Sequence, residues 1–327
     1  MPHPITLPLD IRQPADIGIL DPSRRAELYH AELTKALRVS IDGSTATLER
    51  VVPIGDFDAR LAVLRISAPT SADLAGAQLD WVRFAAAQRF DRLDEITVQL
   101  SDLISAFTAL ANMNPTRSRY VIEFLNVALS VCAAVEHQVK HALNVPRPVA
   151  FSATIQPMIQ TPNHGSYPSG HATEAFFVAH LMTELYAQQF TGPDGPANAI
   201  DDFRHRARRL AQRIAHNRTV AGVHFPVDSA AGCMLGDTLA KLVLDHMRND
   251  DTATPVDLEP ARVAWQGQAQ FDLAEALASD FGDADVSGLT AGNPDLGVLT
   301  PTAAPILKTL WQDCVNEMAR HPIGAVR

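Results

Sequence analysis

Three short segments of the chain carry side chains suited to holding a tetrahedral oxyanion. The first is Lys140 followed, after six residues, by Arg147-Pro148. The second is Pro168-Ser169-Gly170-His171, and the third sets Asn217-Arg218 ahead of His224 and Asp228. Arginine offers a planar fork of donors matched to oxyanions, and lysine a point charge. Taken singly, each segment has a plainer reading. The Lys/Arg pair could be solvated surface charge, the Pro-Ser-Gly-His run a helix cap with a half-buried histidine, and His224/Asp228 a surface pair. In combination and in this order, they describe one site.

The spacing says how the site would be assembled. Lys140 and Arg147 flank a helix-to-turn corner that can aim both cations at one point. Ser169 and Gly170 open a helix, whose free N–H groups and dipole favour an anion. Glycine there lets a ligand approach the backbone. His171, in the first turn, faces the same anion. Asp228 follows His224 by four residues, one helical turn, so its carboxylate can accept from one ring nitrogen and leave the other as a nucleophile or ligand.

The elements that must position these residues read as helices. Apolar positions at three-and-four spacing predict helices over 23–39, with Ser23 as cap, 73–88, 93–112 and 116–143. The Asn-Val-Pro-Arg-Pro turn ends the last of these. The stretch 146–167 predicts a loop long enough to be functional. Helices over 169–189, 200–217 and 227–248 follow, with a turn at 191–198 and a short loop before His224. Closing helices are expected over 260–281 and 302–320. Segment 45–67, rich in β-branched residues around Pro53 and Gly55, predicts a small hairpin or irregular elaboration. The fold class is mainly α with a helical-bundle core. The expected division is an arm and elaboration over 1–70, the core over 71–250, and closing helices over 251–327.

Composition limits the alternatives. Of 327 residues, 46% are hydrophobic and 20% charged, so a core forms without staples. A net charge of -10 opposes nonspecific nucleic-acid binding and makes a local cation cluster more informative. The most apolar run, 124–135, is shorter than the roughly 20 residues of a membrane span. The N-terminus lacks the pattern of a secretory signal, which predicts a soluble, cytoplasmic protein. Cys132, Cys233 and Cys314 are odd in number and widely spaced, as expected of buried thiols in a reducing compartment. Long alanine-rich helices are compatible with a homo-oligomer.

The three segments resemble the signature of the type 2 phosphatidic acid phosphatase (PAP2) and vanadium haloperoxidase superfamily: Lys-x6-Arg-Pro, Pro-Ser-Gly-His, and Ser-Arg-x5-His-x3-Asp. Every position agrees except Asn217, which stands where the signature has serine. The resemblance covers about 71–248. It implies that Lys140, Arg147 and Arg218, with Ser169 and Gly170, bind vanadate or phosphate in the same site. It also implies that His224 attacks phosphorus or coordinates vanadium, that Asp228 orients it, and that His171 is the general acid or base. His164 matches a position beside the halide site of haloperoxidases. Two enzymatic readings stay open. One is a vanadate-dependent haloperoxidase using hydrogen peroxide and bromide or iodide, which His164 and the surrounding run favour. The other is an acid phosphatase acting on phosphomonoesters through a phosphohistidine. A noncatalytic oxyanion binder is a third reading, disfavoured because both histidines and Asp228 are present. His137 and His141, beside Lys140, are left without a role.

Overall fold

The computed structural model describes residues 17–54, 57–190, 197–248, 261–263 and 304–320. Helix α1 (Pro22–Lys35) begins under Asp21, whose side chain accepts from the Ser23 and Arg24 amides; Asp21, not Ser23, is the cap. The helix stops before the expected 39. Leu37, Val39 and Ile41 alternate with Arg38, Ser40 and Asp42, a period of two that goes into strand β1 (Leu37–Asp42). Strand β1 pairs antiparallel with β2 (Thr45–Ile54), and β2 with β3 (Phe57–Ser67). The expected hairpin at 45–67 is therefore part of a three-stranded antiparallel sheet. Strand β4 (Ala261–Val263) adds to β3 in parallel. This strand replaces the start of the helix expected over 260–281; the rest of that helix, and the arm over 1–16, lie outside the described residues.

The helix expected over 73–88 is broken. A capped turn (Ser71–Asp73) runs into a π-helical turn (Leu74–Gln78), where Gly76 leaves helical geometry, then α2 (Leu79–Ala85) and a 3-10 turn (Ala86–Gln88). The expected 93–112 helix is two, α3 (Arg89–Val98) and α4 (Ile104–Leu110). Asp102 accepts from the Ser105 amide at the break, and Gln99 lies in the gap. Helix α5 (Arg119–Leu143) ends with Asn144 in the left-handed region, its amide donating to the Lys140 carbonyl. The loop 146–167 holds a four-residue helix, α6 (Pro148–Phe151), and a 3-10 turn (Ala153–Ile155). Helix α7 (Gly170–Gln188) follows the Ser169 cap. The expected turn at 191–198 falls mostly outside the described residues. Helix α8 (Ala197–Val220) runs three residues further than expected, so Arg218 sits in its last turn. Helices α9 (Pro226–Arg248) and α10 (Pro305–Arg320) complete the described chain.

Helix α7 is the hub, flanked by α5, α8 and α9 and apolar on nearly every face. Small residues let α9 lie close against it. A Cβ at Gly232 would stand 2.7 Å from the Ser169 carbonyl oxygen, and one at Gly236 would run into that of Thr173. The sheet, α1 and α10 pack into the same apolar cluster as α5 and α7. The three cysteines are free and buried. Among the described residues, the Arg119–Phe151 stretch is long and apolar enough to cross a membrane by length and composition. That differs from the reading by apolar runs alone. In the fold, α5 buries its apolar face and carries Lys140 into the interior.

Candidate active site

The three segments converge where the N-termini of α7 and α9 meet the C-termini of α5 and α8. The Ser169 amide donates to the Asp228 carbonyl at 2.8 Å, tying the two helix starts together. Lys140, Arg147 and Arg218 are all buried. Lys140 Nζ has a single long bond to the Ser166 carbonyl, 3.4 Å. Arg147 donates to the carbonyls of Val223 (2.8 Å), His164 (3.1 Å) and Gly165 (3.3 Å). Arg218 Nη2 donates to Gln99 Oε1 at 2.8 Å, while its Nε and Nη1 are buried without a partner. These partners are neutral oxygens rather than carboxylates. Burial lowers the pKa of all three cations, Arg218 to about 10, so the charged form of each is held at a cost.

His224 is poised by Asp228. Its Nδ1 donates to Asp228 Oδ2 at 2.9 Å, which leaves Nε2 as a lone pair, 3.4 Å from Arg147 Nη1. The same Asp228 oxygen accepts from the Phe225 amide (3.0 Å) and from Ser166 Oγ. Burial raises Asp228 to about 6 and pushes His224 well below the usual imidazole range. At neutral pH the pair is therefore carboxylate and neutral ring. His171 Nε2 donates to the Gln99 carbonyl at 2.9 Å, and burial, with the Arg218 charge next, takes its pKa down to about 4.

Gln99 and Ser166 were missed by sequence reasoning. Gln99 is the acceptor for Arg218, for Asn217 Nδ2 (3.1 Å) and, through its backbone, for His171. Asn217 is thus used on Gln99. No short sequence pattern links Gln99 to segments so far along the chain. Ser166, two residues before Pro168, lies inside the segment already singled out and could have been flagged there. Arg89 is a third such residue: it donates to the carbonyls of Ile155, Gln156 and Val220, fastening the loop after α6 to the end of α8. Gly222, at φ +82, makes the turn from α8 toward His224.

His164 is placed at the exposed rim, its Nδ1 3.3 Å from Arg147 Nη2. Its ring meets that of His137 edge-on, with centroids 5.1 Å apart. His141 is exposed. Ser169 caps α7 with Oγ, and Gly170 is its first residue.

A tetrahedral oxyanion fits this set. It would supply acceptors to the two orphan Arg218 donors and to Lys140, and negative charge to three cations that have no carboxylate bonded to them among the described residues. A vanadium-dependent bromoperoxidase from Ascophyllum nodosum is 31% identical over 94 residues, covering 24% of this chain and 17% of the relative. The chain thus matches under a fifth of that relative's length. Residues 120–250, which hold all three segments, match the PAP2 superfamily.

Proposed function

We propose that the protein is a vanadate-dependent haloperoxidase, oxidising bromide or iodide with hydrogen peroxide and a proton to the hypohalous acid and water. The oxyanion part of this reading is carried by Arg218, fully buried with two unpartnered N–H groups. Halide oxidation over phosphate chemistry is supported by the similarity to a bromoperoxidase and by His164 on Arg147 at the rim. Vanadate, when bound, supplies a Lewis-acidic oxyanion that activates peroxide toward halide.

Lys140, Arg147 and Arg218 hold and neutralise the oxyanion, helped by Ser169 and the Gly170 amide. His224 would hold the oxyanion's central atom through Nε2, and Asp228 keeps the proton on Nδ1. His171 keeps Nδ1 as its free nitrogen because Nε2–H is committed to Gln99, so it can receive a proton at Nδ1 from a peroxide. His164 borders the path by which halide reaches the site.

A phosphatase reading, favoured by the same free Nε2 on His224, needs His171 to arrive protonated. Its pKa of about 4 works against that until bound oxyanion charge offsets Arg218. Bromination of a dimedone-type reporter by metal-stripped protein, before and after orthovanadate, separates the two. Activity dependent on vanadate is expected. No bromination under any condition, with phosphatase activity inhibited by vanadate, would transfer the assignment to the phosphatase.

A further inference from the structure

Glu136 has no part in the roles above. It lies on α5 one turn before Lys140, is 2% exposed, and its Oε2 has no hydrogen-bond partner. Its Oε1 lies 3.3 Å from His137 Nδ1. The carboxyl group is pressed onto Gly170: a Cβ there would stand 2.6 Å from Oε1 and 2.9 Å from Oε2. Gly170 opens α7 at the oxyanion cradle, so this carboxyl group borders the space where the oxyanion sits. A carboxylate at that border would repel a dianion. A neutral carboxylic acid would offer an O–H donor instead.

Glu174, four residues after Gly170 on α7, is the second acidic group here. The groups facing Glu136 are Cys132, His137 and Lys140 on its own helix, Glu174 from α7, and Arg147 from the turn after α5. Burial raises Glu136 to about 7 despite Lys140 and Arg147. Burial and the charge of Glu136 raise Glu174 to about 8.

We infer that Glu136, kept as the neutral acid beside Glu174, is a hydrogen-bond donor of the oxyanion cradle, so that a fully deprotonated tetrahedral dianion is taken up together with one proton. The proton resides on Glu136, and no covalent bond changes. The inference rests on the oxyanion-site reading and adds a selectivity to it: the site favours an anion that brings no proton of its own.

Sulfate is the probe, because it stays a dianion throughout the range of interest. The full chain is titrated calorimetrically with sulfate from about pH 5.5 to about pH 9. The expected wild-type affinity falls about tenfold per pH unit above a midpoint near 7. Glu136→Gln keeps a neutral donor, so its affinity should lack the fall centred near 7 and exceed wild type at alkaline pH. A wild-type profile retained by Glu136→Gln overturns the inference. Arg218→Ala tells the two readings apart: it should weaken sulfate at every pH and leave the shape of the profile alone. Unchanged affinity in Arg218→Ala removes the cradle itself, and the inference with it.

Discussion

Burying a guanidinium without a carboxylate is costly, and Arg218 has only the Gln99 amide oxygen and a long contact to the Ile96 carbonyl in return. Gln99 therefore decides where the two free N–H groups of Arg218 point. Gln99→Ala should weaken phosphate binding by roughly tenfold, about the value of one hydrogen bond to a charged group. Gln99→Glu should weaken it further by pairing with Arg218 directly. Wild-type affinity in both, measured by calorimetry, would remove Gln99 from the site. His171 provides a second test. Its folded pKa, about 4, lies below the unfolded value of roughly 6.5. The unfolded chain then binds more protons between those values, so the His171 contribution falls as pH drops from about 6.5 to about 4, by on the order of 3 kcal/mol. Denaturant unfolding across that range should show a shallower acid loss in His171→Phe than in wild type. Equal slopes would contradict the buried, neutral ring.

At the scale of elements, the site depends on α7 and α9 lying nearly in contact at their N-termini. Gly232 and Gly236 make this approach. Gly236→Ala should destabilise the protein by about 1–3 kcal/mol through overpacking against Thr173. It should also weaken oxyanion binding, because the Ser169–Asp228 bond that joins the two segments would be stretched. Thermal unfolding and phosphate titration check the two effects, and an unchanged melting temperature would show that the helices are free to separate. The sequence displayed α5, α7, α8 and α9 clearly, since long periodic runs with caps and prolines define them. It concealed the breaks at Gly76 and around Gln99, where local turns interrupt patterns that continue in register on either side. It also concealed β1: six residues after a good helix former read as its tail until the alternation of Leu37, Val39 and Ile41 finds a partner in β2. The signature residues were legible because their spacing is local. Gln99 and Arg89 were not, because each meets the site only through tertiary packing.

The molecule as a whole carries a net charge of -10, yet gathers three buried cations at one site with no carboxylate among the described residues bonded to any of them. Such an arrangement stores unfavourable electrostatic energy in the free protein that a bound oxyanion releases. A ligand that binds only the native state then stabilises the entire fold, by about 2.7 kcal/mol at a hundred times its dissociation constant. This linkage makes the central claim measurable without assuming any reaction. The direct test is thermal unfolding of wild type and Arg218→Ala over a series of orthovanadate concentrations. Wild type should gain stability steadily with the logarithm of vanadate concentration, while Arg218→Ala should gain little or none. An equal rise in both proteins, or none in wild type, would contradict an oxyanion site built on Arg218.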